Sequence, residues 1–216
     1  MPPEAPVAAS GPLLLADISG YTSFLRLVAV AHADDAFAGG VVPDAYAMMS
    51  SLLDGIVGRL VPPFTLSKLE GDAVFTYAMD EPQLPRGAAV LDCLVGCYAE
   101  FRRRLGSARG IWTCSCDACS RIDDLDLKFV LHAGPFVIQS IAGGQELVGP
   151  EVVMAHRLLK TRAAEVVGNG AYALITEPAT ARFEIPTDDA LSVVEHYEHY
   201  APIRANVYPL RDAPLT

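Results

Sequence analysis

The sequence predicts an α+β fold, with a mostly antiparallel sheet and helices packed on one face. Its 216 residues are 51% hydrophobic and 19% charged, a composition that suits one packed globular domain. Strand-like and helix-like runs follow one another in the order β-αα-β-β-α-β-β-α-β, with closing strands at the end. Helices grouped between antiparallel strands are typical of a sheet with one covered face. The sequence shows no internal repeat and no linker, so we predict a single domain over residues 13–212.

The first half of the chain is punctuated by prolines and glycines. Residues 1–12 contain four prolines and are predicted to be a disordered arm. The predicted elements that follow are a strand over 12–18, a helix over 20–38, a helix that begins at Pro43-Asp44, and a β-hairpin over 64–79 that turns at Glu70-Gly71-Asp72. Gly39-Gly40 separates the two helices, and Pro62-Pro63 ends the second one.

The second half of the chain continues the same alternation. Its predicted elements are a helix over 86–105, a cysteine-bearing insertion over 110–124, strands over 125–134 and 135–143 joined by a glycine turn, a helix over 149–167, a strand over 171–176, and closing strands over 191–200 and 203–210. In the predicted strand over 191–200, the alternation of EHYEHY (195–200) places His196 and His199 on opposite faces. This predicts that the two histidines do not share a metal ion.

The charge balance narrows the classes of partner. A formal net charge of -10 disfavours nonspecific binding to nucleic acids and to anionic membranes, and we expect neither as a partner. The first residues lack the positive start and apolar stretch of a secretory signal, and no apolar run reaches the ~18 residues of a membrane span. Three of the five cysteines fall within residues 114–119, a spacing typical of metal binding rather than of disulfides. We therefore predict a cytoplasmic location.

Asp17 stands at the end of an apolar strand, in LLLADISGYTSF (13–24). A carboxylate that leaves water needs a partner, which can be a cation, a backbone N–H or a metal ion. Taken alone, the position also fits a carboxylate that accepts hydrogen bonds from amides at the start of the next helix. Asp72 has a comparable alternative, because Glu-Gly-Asp is ordinary hairpin-turn chemistry.

Four segments of the chain, the first of which contains Asp17, form a larger sequence pattern. They are LLLADISGYTSF, SKLEGDAVF, LKFVLHAGPFVIQSIAG and ELVGPEVVMAHRLL, and they cover roughly residues 13–175. In order and spacing they resemble the catalytic domain of class III nucleotidyl cyclases, in particular a bacterial cyclase-like branch with a Cys-x-Cys-x-x-Cys insertion. The resemblance implies the ferredoxin-like cyclase fold. It also implies conversion of ATP to cyclic AMP and pyrophosphate by two-metal-ion catalysis.

The resemblance assigns the metal and phosphate ligands. Asp17 and Asp72 match the two aspartates that hold two Mg or Mn ions, and the carbonyl of Ile18 is a further candidate ligand. The N–H groups of Gly20, Tyr21 and Thr22 open a helix, where they are placed to bind phosphate groups.

The base-reading positions are Lys68 and Glu146. Lys68 stands where adenylate-type cyclases carry a lysine, which donates to adenine N1. Glu146 stands where those enzymes carry an aspartate that accepts from the adenine amino group, so the longer carboxylate is a departure. The pair favours ATP, although a solvated strand lysine and a turn glutamate are common by themselves.

The helix GPEVVMAHRLLK carries one match and one mismatch. Arg157 matches the arginine that stabilises phosphate charge in the transition state, and a surface helix arginine is the alternative. Val153 stands where the family places a ribose-orienting asparagine. Since valine forms no hydrogen bond, the alternative function is a degenerate domain that binds a nucleotide or a partner without turnover. His156 is expected to be structural.

The resemblance implies a homodimer in which each site combines residues of both subunits.

The insertion contains Cys114, Cys116 and Cys119 in a C-x-C-x-x-C pattern. Thiolates favour zinc, and a structural zinc site needs four ligands in a closed tetrahedron. The fourth ligand is left open, with Asp117, His132, a residue of a second subunit, or the helical pair Cys93 and Cys97 as candidates. Three free thiols in a cytosolic loop are the alternative.

Overall fold

The computed structural model describes residues 5–34, 39–40, 42–111 and 114–210 of the chain. The strands are β1 (Val7–Ser19), β2 (Thr65–Glu70), β3 (Ala73–Tyr77), β4 (Asp126–Ile141), β5 (Gly144–Val148), β6 (Tyr172–Thr176), β7 (Leu191–Glu195) and β8 (Ile203–Pro209). The helices are α1 (Tyr21–Ala31), α2 (Asp44–Leu60), α3 (Ala88–Ile111), α4 (Asp117–Ser120), α5 (Pro150–Arg157), α6 (Ala163–Val166) and α7 (Glu177–Phe183). A 3-10 turn over Arg121–Asp124 follows α4.

The strands of the described residues form one sheet in the order β2-β3-β1-β4-β6-β8-β7, and β5 pairs with the far half of β4. Two long antiparallel strands, β1 and β4, form its centre, paired from Val7 opposite Ile138 to Ser19 opposite Asp126. β4 and β6 are parallel, and the other pairs are antiparallel. The predicted α+β class with a mostly antiparallel sheet is confirmed.

Both faces of the sheet are covered by helices. One face of β1, with Leu14 and Ile18, packs against α1, α2 and α3. The opposite face, with Leu13 and Leu15, packs against α5 and α6. The larger helical layer lies on one face, as predicted, and the smaller layer on the other face is an addition to the prediction. The run of three consecutive leucines is the sequence signal, because a strand buried on both faces is apolar without alternation.

The central strands extend further than predicted. β1 begins at Val7, so residues 7–12 belong to the sheet and not to a disordered arm. Residues 1–4 of that arm and residues 211–212 of the predicted domain lie outside the described residues. β4 runs without a turn through Gly134 and Pro135, where a hairpin was predicted. Gly134 is needed for packing instead, since a Cβ there would lie 2.7 Å from Cγ of Glu151.

Several shorter elements also differ from the predictions. The predicted helix over 149–167 is divided into α5 and α6, with turns over 158–162. The predicted strand over 191–200 ends at Glu195, and β5 and α7 were not predicted. These elements are four to eight residues long, so too few positions carry the periodic pattern that distinguishes helix from strand. In the part of the chain that the structure describes, no helix combines the length and the apolar character that a membrane crossing needs.

The close approach of β1 to the residue that follows β3 gives the first testable prediction. A Cβ on Gly11 would lie 2.1 Å from the carbonyl oxygen of Ala78, a backbone atom that cannot turn aside. We expect Gly11→Ala to lower the free energy of unfolding by about 1–3 kcal/mol in urea titrations. Gly106→Ala is the control, because its Cβ meets nothing within 4 Å in α3. That variant should be neutral or more stable by up to about 1 kcal/mol. Equal unfolding free energies for the two variants would contradict the packing argument.

Candidate functional site

Two aspartates meet at the ends of neighbouring strands. Asp17 of β1 is paired with Ala73 of β3, so Asp72 in the preceding hairpin turn lies beside it. The backbone carbonyl of Asp72 accepts a hydrogen bond from the N–H of Ile18 at 3.2 Å. The turn is thereby closed onto the end of β1. The structure therefore brings together the three residues expected to be metal ligands.

The direct partner of Asp17 is a lysine that sequence reasoning did not identify. Nζ of Lys128 lies 2.9 Å from Oδ2 of Asp17 and donates to the carbonyl of Leu159 at 3.2 Å. The exposed fractions are only 14% for the Asp17 side chain and 21% for the Lys128 side chain. A cation was one of the partners considered for Asp17, and Lys128 faces it directly across the strand pair.

The carboxylates of Asp17 and Asp72 repel each other. Burial raises the pKa of the Asp72 carboxyl, and the neighbouring charge of Asp17 raises it further, while Lys128 acts in the opposite direction. Burial and the charge of Asp72 likewise raise the pKa of Tyr21. Two carboxylates that share one ammonium group leave an excess of negative charge, so the site favours an additional cation.

The first turn of α1 lies next to the aspartates. Gly20 precedes the helix with a φ of 85°, and a Cβ there would lie 3.3 Å from the carbonyl of Asp124. No side chain caps this end, and the first turn contains no acidic residue. The first N–H groups of an α-helix have no partner within the helix. Those of Tyr21 and Thr22 are therefore available to an anion.

The proposed base-reading residues are joined by a salt bridge. Nζ of Lys68 lies 2.8 Å from Oε2 of Glu146 and 3.4 Å from Oε1 of Glu70. The hydrogen bond to Glu146 is the main reason that the pKa of Lys68 is raised. Glu70 continues the network to Nε2 of His156 at 2.8 Å, and Nδ1 of His156 contacts the carbonyl of Val152 at 2.8 Å. His156 therefore connects β2 to α5, in agreement with a structural role.

Val153 and Arg157 share the outward side of α5. They are four residues apart, the Val153 side chain is 46% exposed, and Arg157 is exposed as well. Nη1 of Arg157 donates to the carbonyl of Glu198 at 3.4 Å, and its Cζ lies 5.3 Å from the ring centre of Tyr200. The Arg157 side chain therefore lies at the surface of the chain, against the carbonyl of Glu198 and the ring of Tyr200.

A buried histidine fixes the start of α5. His132 of β4 is 2% exposed, and its Nε2 lies 2.6 Å from Oε2 of Glu151. Its Nδ1 lies 2.8 Å from Oγ1 of Thr176. His132 is thereby excluded from the metal-ligand candidates for the cysteines. Through Glu151 it holds the helix that carries Arg157 on the sheet.

The three cysteines of the insertion surround a histidine from the end of α1. Nε2 of His32, immediately after that helix, lies 3.6, 3.3 and 3.5 Å from Sγ of Cys114, Cys116 and Cys119. Burial opposes ionisation of Cys116, but the N–H of Cys119 and the other members of the group lower its pKa to about 7. Burial raises the pKa of Cys119 to about 12. This group is able to hold a metal ion.

Sequence reasoning missed His32, Lys128, Glu70 and Tyr200. Lys128 lies opposite Asp17 because of the register between β1 and β4, and the residues next to either one do not give that register by themselves. Tyr200 lies in the EHYEHY segment, which was predicted to be a strand and is irregular after Glu195. Its tyrosines fold back onto α5, where the hydroxyl of Tyr197 donates to the carbonyl of Arg157 at 3.1 Å.

The central part of the chain matches a protein family. The model of a family described as "Protein of unknown function (DUF2652)" matches residues 49–166. Among curated sequences, the chain is 33% identical over 112 residues to the uncharacterized protein Rv2561/Rv2562 of Mycobacterium tuberculosis. That alignment covers 52% of this chain and 51% of the relative, so the chain spans about half the length of the curated relative it matches.

Solved structures with the same fold are class III cyclase domains. The adenylyl cyclase CyaB of Pseudomonas aeruginosa superposes with a TM-score of 0.65 at 13% identity, over 97% of this chain and 98% of that one. A class III adenylyl cyclase-like ATP-binding protein, also from Pseudomonas aeruginosa, gives 0.57 at 13% identity, over 84% of this chain and 36% of that one. The chain therefore has the class III cyclase fold that the four sequence segments indicated.

Proposed function

The chain belongs to the DUF2652 family of proteins of unknown function, and since it has the class III cyclase fold, we propose that it is a nucleotidyl cyclase. The proposed reaction converts ATP to cyclic AMP and pyrophosphate at two composite sites of a homodimer. The observation that carries the proposal is the meeting of Asp17 and Asp72 beside the open first turn of α1.

The aspartate pair has the donor chemistry of a divalent cation site. Asp17 and Asp72 offer hard carboxylate oxygens, which Mg and Mn prefer, and the carbonyl of Ile18 adds a neutral oxygen. The mutual repulsion of the two carboxylates, which Lys128 only partly offsets, favours cation binding further. Two bound ions would supply activation of the ribose hydroxyl and neutralisation of the leaving pyrophosphate.

The reaction requires an in-line exchange of bonds at the α-phosphorus. The ribose 3′ oxygen forms a bond to that phosphorus, its proton passes to solvent, and the bond to the oxygen that bridges to the β-phosphate breaks. The N–H groups of Tyr21 and Thr22 bind the phosphate oxygens at the start of α1. The Arg157 guanidinium approaches from the other subunit and stabilises the charge that develops in the transition state.

Lys68 and Glu146 are proposed to read the base. Their 2.8 Å salt bridge places one donor and one acceptor side by side before any ligand binds. Adenine presents the complementary pair, an acceptor at N1 and a donor at its amino group. The charged network with Glu70 holds Lys68 in this position, so we favour ATP as the substrate.

A second candidate function is binding of a nucleotide without turnover, and two observations on α5 support it. Val153 offers no hydrogen bond to the ribose, and Arg157 is stacked against Tyr200. One structural neighbour with the same fold is called a cyclase-like ATP-binding protein, so the fold also accommodates a protein described by its binding. Equilibrium binding of ATP that requires Mn, together with the absence of any cyclic product, would favour this function over the first.

Mixing inactive variants tests the composite site. Asp17→Asn and Arg157→Ala should each abolish turnover, because each removes a group from both sites of its homodimer. After subunit exchange, half of the dimers are mixed and carry one intact site, so we expect about a quarter of the wild-type activity. The control mixes Asp17→Asn with Asp72→Asn. Both changes then fall in the same half of the site, and no intact site forms. Activity in the control mixture, or none in the first, would contradict the arrangement.

A further inference from the structure

A side-chain cluster apart from the nucleotide site joins α1 to the insertion. It consists of His32, Cys114, Cys116 and Cys119, whose potential ligand atoms all lie within 4.8 Å of one another. The histidine is 82 to 87 residues away from the cysteines in the sequence. Three of the four side chains are partly exposed and Cys119 is 4% exposed, so an ion can enter from solvent and still be largely enclosed.

Hydrogen bonding does not account for the contacts of His32. Its Nε2 lies 3.3 to 3.6 Å from all three sulfur atoms. A neutral or charged imidazole nitrogen has one proton or one lone pair, so it serves one hydrogen bond well and not three. Three nearly equal distances from one nitrogen instead match the three edges that meet at one corner of a tetrahedron, and the sulfur atoms also lie within 4.8 Å of one another.

The distances agree with a single zinc ion at the centre of that tetrahedron. With Zn–S near 2.3 Å, Zn–N near 2.05 Å and tetrahedral angles, the nitrogen and each sulfur should be about 3.6 Å apart. The structure has 3.6, 3.3 and 3.5 Å. Three thiolates and one imidazole are soft and borderline ligands, which select zinc over Mg or Ca. We propose that His32, Cys114, Cys116 and Cys119 form a structural zinc site with three thiolate ligands and one imidazole ligand.

The role of this site follows from its closed ligand set and its position. Four protein ligands leave no open position for a substrate, so the zinc is structural and not catalytic. His32 follows the last residue of α1, and the other end of the same helix packs at Gly20 against the carbonyl of Asp124, in the 3-10 turn after the cysteines. The ion therefore ties the insertion to the end of α1 at His32, while the close packing of Gly20 on Asp124 ties it to the start of the helix. It closes a loop of more than 80 residues, which stabilises the folded state.

Metal analysis of the purified full-length protein, without nucleotide, tests the proposal. We expect one zinc per chain. Replacement by Co(II) should give the charge-transfer and d–d absorption of a tetrahedral thiolate site. His32→Ala and Cys116→Ser each remove a direct ligand, so in competition with a chelator they should weaken zinc binding by at least the roughly 10–100-fold that is typical of losing a group that only orients a ligand. His196→Ala and Cys93→Ser are matched controls from outside the cluster, and they should retain one zinc.

A conservative variant separates ligand loss from misfolding. His32→Cys should still bind one zinc, because a set of four cysteines is also a common zinc site, and its cobalt spectrum should shift toward that of four thiolates. A chelator should lower the melting temperature of the wild type and leave that of Cys116→Ser unchanged. A metal-free wild type that takes up neither zinc nor cobalt would overturn the proposal, as would wild-type zinc affinity in His32→Ala. None of these outcomes depends on nucleotide turnover.

Discussion

Asp72→Asn is expected to abolish turnover while making the metal-free protein more stable. The loss of activity follows from the proposed function, in which the amide removes one of the two proposed anionic metal ligands, and we expect a decrease of at least about 100-fold in kcat. The gain in stability follows from the raised pKa of Asp72, caused by burial and by the charge of Asp17. Ionised Asp72 therefore disfavours the folded state at neutral pH. Product formation and urea unfolding measure the two effects on the same sample.

The sign of the pH dependence is a further check on the same variant. The folded-state pKa of Asp72 lies above the unfolded one, so the folded state binds the proton more tightly. Wild-type stability relative to Asp72→Asn should therefore rise as the pH falls through the folded-state pKa. Asp54→Asn, an exposed change on α2, should alter neither activity nor this difference. A variant that loses activity and stability together would indicate a structural role for Asp72.

Val153→Asn is expected to raise the rate of cyclisation. The position lies four residues before Arg157 on the outward side of α5, where in the proposed dimer an amide would face the ribose of the bound nucleotide. A misplacement of a reacting group by about 1 Å can cost about 100-fold in rate, so we expect a gain of at least about 10-fold in kcat with little change in stability. The measurement is single-turnover formation of cyclic product.

Val166→Asn is the matched control for that gain. Val166 and Val153 are both 46% exposed, so the two substitutions make similar changes in surface hydration. The control should leave the rate unchanged. An unchanged or lower rate in Val153→Asn would show that the ribose is oriented by another group, or that the helix does not face a nucleotide.

Local sequence signals were sufficient to predict that Asp17 and Asp72 lie close together. A hairpin that turns at Asp72 and a strand that ends at Asp17 need only ordinary strand pairing to meet, and the structure pairs them in that way. The α+β class followed similarly from the order of elements. Gly134-Pro135 led to a wrong prediction, because the same dipeptide that favours a turn here lets α5 approach a continuous strand.

The positions of His32, Lys128 and Tyr200 depend on contacts between distant parts of the chain. His32 is 82 residues from Cys114, and no spacing rule connects them. The register of β1 and β4 decides that Lys128 faces Asp17, and nothing local to either strand sets it. Tyr200 contacts Arg157 only because the chain leaves β7 after Glu195 and returns to α5. Tertiary packing, not local propensity, places these residues.

Turnover by the wild type tests the central claim most directly. Purified protein would be incubated with ATP or GTP and Mn, and the products identified by mass spectrometry over a range of protein concentrations. We predict cyclic AMP and pyrophosphate in equal amounts, a rate per chain that rises as dimers form, and slower reaction with GTP. Absence of cyclic AMP at concentrations where the protein is dimeric and binds ATP would contradict the proposed function. That result would leave nucleotide binding without cyclisation as the function.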